Sequence, residues 1–173
     1  MRKNIVLIGF MGCGKTTIGK KLAHRRGYEF LDMDEVIVER AGMKITEIFE
    51  KFGEAHFRKM ESELCAELSE AEGLVIATGG GVIKNAENMR LLKKNGTVLY
   101  IKASPEHIYR NVRNDRTRPL LNCGDKLARI KELMAERKPL YEGGMDITAD
   151  ISGMSSSKAV EYITEILEGE NVL

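Results

Sequence analysis

The chain has 173 residues, enough for one domain with a substantial core. Its 27 lysines and arginines nearly balance 26 aspartates and glutamates, and the net charge of +1 gives no reason to expect a nucleic-acid or membrane partner. The three cysteines fit no zinc-binding spacing, so we expect free thiols in a reducing cytoplasm. We recognise no pattern typical of a signal peptide, a transmembrane span or a repeat.

The first predicted element is a buried parallel strand at residues 4–8, and a phosphate-binding loop follows it directly. Residues 9–16 read G-x-x-x-x-G-K-T, which is the Walker A pattern. Such a loop turns backbone N–H groups toward phosphate oxygens, and Lys15 adds a positive charge there. The Thr16 hydroxyl is placed to ligate Mg²⁺. The predicted ATP contacts in this stretch are Gly12, Cys13, Gly14, Lys15, Thr16 and Thr17.

Strand and helix patterns alternate along the rest of the chain. Further strands are predicted at residues 29–33, 73–78, 97–102 and 146–151, with helical patterns between them. This alternation predicts a parallel sheet with helices on both sides. Residues 113–125 interrupt it, because they are polar and rich in arginine and asparagine. We expect this segment to project from the core.

Two further motifs end predicted strands, and ligands bind at the carboxyl ends of the strands in such sheets. Asp32 and Asp34 end the second strand and, on an extended segment, would point the same way. One could serve a metal, and the other could accept a proton from a substrate hydroxyl. Alternatively, Asp34 caps a helix that begins at Glu35. Gly79, Gly80 and Gly81 end the third strand, which indicates either a tight turn or close approach of a ligand.

A carboxylate interrupts an apolar stripe on the helix predicted near residue 60. The stripe consists of Phe57, Met60, Leu64 and Leu68. Glu61 falls inside the stripe and is costly to bury unless it is paired. Arg58 lies three residues earlier, within reach on a helix. We predict a partly buried Arg58–Glu61 pair that aims the guanidinium at the site, with a purely structural ion pair as the alternative.

A second group of arginines follows. Arg113, Arg116 and Arg118 lie in the polar segment, and Arg137 lies in the next predicted helix. Arginines in loops are usually solvated, but a mobile arginine can neutralise charge on a phosphoryl group during its transfer.

Together, these motifs resemble the shikimate kinase family in order and spacing, over nearly the whole chain. They are the loop at 9–16, Asp32-x-Asp34, Phe57-Arg58-x-x-Glu61, Gly79-Gly80-Gly81, Arg118-Pro119-Leu120-Leu121 and Arg137-x-Pro139-Leu140-Tyr141. The resemblance implies one domain over residues 1–173 with a three-layer αβα P-loop NTPase fold. The implied sheet has five parallel strands in the order 2-3-1-4-5, with an acceptor-binding region near residues 32–61 and a lid near 113–125.

The resemblance also implies an activity, which is transfer of the ATP γ-phosphate to the 3-hydroxyl of shikimate on the route to chorismate. Asp34 would bind the hydroxyls and act as the base, and Asp32 and Thr16 would serve Mg²⁺. Arg58 and Arg137 would grip the shikimate carboxylate. The other substrate-binding residues would be Glu61, Gly79, Gly80 and Gly81, with the glycines lining the acceptor site. Arg118 would reach the phosphates together with Lys15, and Arg113 would pack against adenine. The sequence contains no obvious extra interface element, and we expect a monomer.

One stretch departs from the family pattern. Family members often carry an arginine and a proline after the last strand, where the chain covers adenine, whereas residues 152–158 read Ser-Gly-Met-Ser-Ser-Ser-Lys. Two alternatives remain. A sugar-acid kinase similar to gluconokinase would share the phosphate loop, although the glycines at 79–81 and the Arg137 motif favour shikimate. A nucleotide-binding module without catalysis would be expected to lose one of Lys15, Asp32, Asp34 or Arg118, and all four are present.

Overall fold

A parallel sheet between two helical layers forms the centre of the molecule. The computed structural model describes residues 3–173, apart from the side chain of Pro119. The strands are β1 (Asn4–Ile8), β2 (Glu29–Asp32), β3 (Leu74–Ala77), β4 (Gly96–Lys102) and β5 (Ile147–Asp150). Their order is β2-β3-β1-β4-β5, and every neighbouring pair is parallel. The expected strand order is therefore confirmed; Met1 and Arg2 lie outside the described residues.

Helices connect and flank these strands. In the described part of the chain they are α1 (Lys15–Arg26), α2 (Met33–Ala41), α3 (Ile45–Phe52), α4 (Glu54–Leu68), α5 (Ala86–Lys94), α6 (Pro105–Val112), α7 (Lys126–Gly144) and α8 (Ser156–Gly169). None of the helices formed by residues 3–173 is long and apolar enough to cross a membrane.

Strand β1 contributes to a hydrophobic core on each face of the sheet. Ile5 and Leu7 pack into one core with residues of α1, α6 and α8. Val6 and Ile8 pack into the other with residues of α2, α4 and α5. Successive side chains of a strand point to opposite faces, so a strand covered on both sides must be apolar throughout. This explains the uninterrupted apolar run before the phosphate loop.

The topology places a crevice at the carboxyl end of β1. This strand lies between β3 and β4, so the connections on its two sides diverge there. Ligands bind at such switch points in open α/β sheets. Near this end of the sheet, Leu7 of β1 pairs with Ala77 of β3, and Ile8 of β1 pairs with Tyr100 of β4. The loops that follow β1 and β3 therefore emerge side by side.

The predicted boundary after the second strand was wrong. Strand β2 ends at Asp32, and α2 begins at Met33 rather than at Glu35. Asp32 itself caps this helix, since its Oδ1 accepts hydrogen bonds from the N–H groups of Asp34 at 3.0 Å and Glu35 at 3.3 Å. The extended Asp32–Asp34 segment is therefore replaced by a helical turn, and Asp34 is not the cap. Its side chain is left for other contacts.

The segment between α6 and α7 is less detached from the core than its composition indicated. Leu121 is fully buried in the core that also contains residues of α1, α6 and α8. Lys126 donates from Nζ to the carbonyl oxygens of Val112 at 3.0 Å and Asp115 at 2.9 Å. The carboxyl-terminal end of the segment is thereby anchored, and most of the described side chains between Val112 and Leu121 are exposed.

Candidate active site

The phosphate loop has the backbone conformation that its sequence pattern requires. Gly12 and Gly14 have φ angles of 78° and 102°, which favour glycine. A methyl group on Gly12 would also lie 2.4 Å from Val112 Cγ1. Lys15 is only 8% exposed and donates from Nζ to the carbonyl oxygens of Gly9 at 2.7 Å and Phe10 at 3.1 Å. The loop therefore holds its ammonium group against its own backbone.

The two residues predicted to serve a metal are in contact. The Thr16 hydroxyl donates to Asp32 Oδ2 at 2.6 Å, beside the start of α1. A hydroxyl and a carboxylate are the hard oxygen donors that Mg²⁺ prefers, and this ion usually takes its remaining ligands from water and phosphate. Residues 3–173 contain no group of three or more His, Cys, Asp or Glu side chains that could enclose a metal. The pair therefore fits a metal shared with phosphates.

A cleft of about 870 Å³ extends from the loop between α6 and the connection from β5 to α8. Its lining includes the predicted residues Gly12, Cys13, Gly14, Lys15, Thr16, Thr17, Asp32, Asp34 and Arg118. Arg118 also donates from Nε to Asp115 Oδ2 at 2.8 Å. Arg113 is exposed and lies outside this lining, whereas Arg110, one turn earlier, contributes to it.

Asp34 stands where the cleft meets the acceptor residues. A methyl group on Gly79 would lie 3.0 Å from Asp34 Oδ1 and 3.0 Å from Glu61 Oε2. Burial raises the pKa of the Asp34 carboxyl, and the neighbouring Asp32 raises it further. The positive charges of Lys15, Arg118 and Arg58 oppose this rise in pKa. Asp34 is thus a partly buried carboxyl with three cationic side chains near it, an environment suited to proton transfer.

The Arg58–Glu61 pair has the geometry that the helical spacing predicted. Arg58 Nη1 lies 3.1 Å from Glu61 Oε1, and the side chains are 31% and 1% exposed. Arg58 also contacts Glu54 Oε1 at 3.3 Å. Burial raises the pKa of the Glu61 carboxyl, and the charge of Arg58 opposes that rise. The guanidinium is held between two carboxylates at the end of the glycine segment.

Arg137 reaches the same segment from α7. Its guanidinium is buried, donates from Nη1 to the Gly80 carbonyl at 3.3 Å and lies over the Phe10 ring at 5.6 Å. The Tyr141 hydroxyl, one turn later, donates to the same Gly80 carbonyl at 2.8 Å. Burial raises the pKa of Tyr141, so this hydroxyl stays protonated and remains a donor. Sequence reasoning assigned Tyr141 no role of its own.

Space, rather than an unusual backbone conformation, explains the three glycines. None of Gly79, Gly80 and Gly81 has a positive φ. A methyl group on Gly81 would lie 2.6 Å from both terminal nitrogens of Arg58, and one on Gly80 would lie 3.5 Å from Arg137 Nη1. The segment is narrow enough for Asp34, Glu61 and both arginines to converge on it.

The sequence motifs did not identify three residues of α6 that lie at the cleft. Asn111 donates from Nδ2 to the Gly12 carbonyl at 2.8 Å and so supports the phosphate loop. Arg110 lines the cleft, and His107 accepts a hydrogen bond on Nδ1 from the Gly153 N–H at 3.2 Å. Isolated residues of these types carry no motif. The apolar periodicity of the helix could have indicated only which face they share.

The fold and this site define a class of protein, the P-loop phosphotransferases that act on small molecules. The family model described as shikimate kinase matches residues 11–168. The chain belongs to the shikimate kinase family.

Similar proteins cover almost the whole chain. A shikimate kinase of Thermodesulfovibrio yellowstonii is 45% identical over 96% of this chain and 95% of its own. One of Caldanaerobacter subterraneus is 47% identical over 94% of this chain and 92% of its own. The structure of the Acinetobacter baumannii shikimate kinase in complex with shikimate matches with a TM-score of 0.92 at 36% identity, covering 98% of this chain and 95% of that one.

The gluconokinase of Sinorhizobium meliloti shares the fold, with a TM-score of 0.56 at 13% identity over 99% of this chain and 98% of its own. At that identity the likeness extends to the fold alone.

Proposed function

We propose that this protein transfers the γ-phosphate of ATP to the 3-hydroxyl of shikimate and yields shikimate 3-phosphate and ADP. This reaction belongs to the route to chorismate and the aromatic amino acids. Membership of the shikimate kinase family supports the proposal. The structural observation that carries it is the position of Asp34, which lines the phosphate cleft and also borders the segment where two arginines meet.

The two arginines suit the carboxylate of the acceptor. Guanidinium groups pair with carboxylates in a bidentate manner, and such pairs fix orientation as well as adding affinity. Arg58 is held by Glu61, and Arg137 is held by the Gly80 carbonyl. Because both guanidinium groups are already held in place, neither has to lose conformational freedom when the acid binds. This lowers the entropic cost of binding.

Asp34 then acts as the base in the transfer. The acceptor oxygen forms a bond to the γ-phosphorus, the bond from that phosphorus to the β–γ bridging oxygen breaks, and the electron pair leaves with ADP. The hydroxyl proton passes to the Asp34 carboxylate. Lys15 and Arg118 line the same cleft and are placed to neutralise charge on the phosphates.

A divalent metal, which we propose to be Mg²⁺, would be held by Thr16 and Asp32. Their hydroxyl–carboxylate contact of 2.6 Å supplies the oxygen donors for it. When bound, the ion neutralises charge on the β- and γ-phosphates.

We further propose a monomer in the cytoplasm. The exposed large apolar side chains among residues 3–173 are distributed over several segments, as Phe49, Phe52, Tyr109, Leu120 and Leu140. All three cysteines are free thiols, which suits a reducing compartment. Sedimentation equilibrium should give 19.4 kDa, and twice that mass would contradict the monomer.

A coupled assay of ADP release tests the activity. Shikimate should give turnover that depends on Mg²⁺, whereas gluconate and a reaction without acceptor should give only background. Lys15→Ala is the matched control for contaminating kinases. Turnover on gluconate alone would favour a sugar-acid kinase. Binding of ATP without turnover on any hydroxy acid would favour a non-catalytic module.

A further inference from the structure

We infer that His107 is a positioning residue that fixes the nucleoside end of the cleft by holding the connection after β5 against α6. The inference rests on the proposed function, because it takes the cleft to be the ATP site. In that case the phosphates of ATP would bind at the loop end, next to Lys15 and Thr16. The remaining walls are α6 and residues 151–156, which leaves the space between them for the base and ribose.

Several bonds within the connection after β5 order it, and the Ile151 N–H also donates to the Lys102 carbonyl of β4 at 2.9 Å. Asp150 Oδ1 accepts from the Ser152 N–H at 3.0 Å and from its hydroxyl at 2.6 Å. The Met154 N–H donates to the Ile151 carbonyl at 2.9 Å. These bonds shape the turn, but they do not set its distance from the facing wall of the cleft.

The bond to His107 joins the turn directly to that wall. His107 lies on α6, is 8% exposed and accepts on Nδ1 from the Gly153 N–H at 3.2 Å. Both residues line the cleft. This stretch also departs from the family pattern, since residues 152–158 contain neither the arginine nor the proline that family members often carry after the last strand. A hydrogen bond between two walls can therefore hold a turn that lacks the stiffness of proline.

The bond requires a neutral imidazole, with the proton on Nε2 and Nδ1 free to accept. Burial lowers the pKa of His107, and the positive charge of Arg110 on the same helix lowers it further. The negative charge of Asp150, at the end of β5, opposes this lowering of the His107 pKa. The Lys102 ammonium group of β4 lies 3.9 Å from the Asp150 carboxylate. The imidazole is thus neutral near pH 7. When the pH falls through its lowered pKa, Nδ1 gains a proton, faces the Gly153 N–H and can no longer accept.

Two substitutions separate this role from simple packing. His107→Leu places an apolar side chain of similar size at this position but removes the hydrogen-bond acceptor. His107→Asn keeps an acceptor, since Oδ1 takes the place of Nδ1, and does not titrate. His24→Leu changes an exposed histidine of α1 and serves as the matched control. We expect His107→Leu to raise the KM for ATP roughly two- to tenfold, the effect of one lost hydrogen bond, with kcat and the KM for shikimate nearly unchanged.

The deciding experiment measures the Kd of ADP by calorimetry from pH 7.5 to 5.5 for the wild type and these variants. Wild-type affinity should fall in acid relative to His107→Asn, and His107→Leu should bind weakly throughout. ADP itself titrates in this range, so the ratio of wild type to His107→Asn is the readout. Parallel curves for these two proteins would overturn the inference, even if His107→Leu fails to fold. An absence of ADP binding to the wild type would instead overturn the proposed function.

Discussion

At the scale of the residue, the chemistry depends on how each ionisable group is surrounded. Asp34 and Glu61 approach the same glycine, yet their partners differ. Glu61 is committed to Arg58 through a direct ion pair, whereas Asp34 borders the cleft and has Lys15, Arg118 and Arg58 around it at longer range. Glu61 is therefore tied to a partner within the protein, whereas the Asp34 carboxyl faces the space that we propose a substrate occupies.

Asp34→Asn should keep both substrates bound and lose most of kcat. General-base catalysis contributes about 10²- to 10⁴-fold, which sets the scale of the loss. Because burial raises the pKa of Asp34, the acid limb of the wild-type pH profile of kcat/KM should have a pKa above that of an ordinary carboxyl group. Activity should fall as the pH drops through that limb, since the base must be ionised. Steady-state kinetics from pH 4.5 to 8 measure both effects, and an unchanged kcat in the variant would refute the assignment.

Gly81→Ala should raise the KM for shikimate with little effect on the KM for ATP. The added methyl group would lie 2.6 Å from both terminal nitrogens of Arg58, so the guanidinium must move. The matched control is Gly143→Ala, because that glycine lies in α7 with open space beside it. Kinetics with each substrate varied in turn give the answer. Equal KM values for shikimate in the two variants would mean that the position of Arg58 is unimportant.

Arg58→Ala should destabilise the fold more at pH 8 than at pH 5. It leaves Glu61 buried without its partner, and loss of one member of a buried pair is strongly destabilising. Without Arg58, the pKa of Glu61 in the folded state rises further, so the folded state binds its proton more tightly than the unfolded state. Stability is then lost as the pH rises from the unfolded-state pKa of Glu61 toward its folded-state pKa.

Urea unfolding at the two pH values measures this difference in the free energy of unfolding. In a Glu61→Gln background the same Arg58→Ala substitution should show much less dependence on pH. A destabilisation that is equal at both pH values with Glu61 present would mean that the pair is not the cause.

At the scale of the element, the connection between α6 and α7 is anchored near both of its ends, which limits where the predicted lid could move. Leu121 is buried and Lys126 is bonded to carbonyl groups at the end of α6. Arg118 is held by Asp115 at 2.8 Å. Bonds from Thr117 hold the pKa of the Asp115 carboxyl low, so this partner stays charged near neutral pH. We still expect residues 113–125 to act as a lid, with the motion concentrated before Leu121.

Trypsin should cleave after Arg113 and Arg116 quickly in the free protein and slowly when shikimate and a non-hydrolysable ATP analogue are bound. Closure over the substrates would bring Arg118 to the phosphates and exclude water, which otherwise competes as acceptor. Mass spectrometry of the fragments locates the cuts, and a peptide substrate shows that the ligands do not inhibit trypsin. Equal cleavage rates at saturating ligand would contradict a closing lid.

At the scale of the whole molecule, the site joins segments from both ends of the chain. The phosphate loop precedes α1, the acceptor residues come from α2 and α4, and Arg137 comes from α7. The complete binding site is formed only when the chain is folded. The free energy of ligand binding therefore adds to the stability of the entire domain.

Shikimate and ADP should therefore each raise the melting temperature. At one hundred times its Kd, a ligand contributes about 2.7 kcal/mol of stability. Gluconate at the same concentration should give no rise. In Lys15→Ala the rise with ADP should be lost while the rise with shikimate persists, because the two substrates use different residues. Differential scanning fluorimetry detects both shifts, and loss of both would show that Lys15→Ala damages the fold.

The sequence by itself determined those features whose signal lies within one element or one motif. The phosphate loop follows from its own spacing, and the Arg58–Glu61 pair follows from the helical period. The alternation of apolar patterns determined the parallel sheet, and resemblance to a family supplied its strand order.

Only the tertiary structure decided which side chains of different elements meet. It placed Asp32 as a helix cap, brought Tyr141 and Arg137 to one carbonyl of Gly80, and joined His107 to Gly153. It also showed that the three glycines provide room for converging side chains. The physical reason is that such contacts depend on how each helix is rotated and placed against the sheet. That placement is set by packing of the whole core, and no local spacing records it.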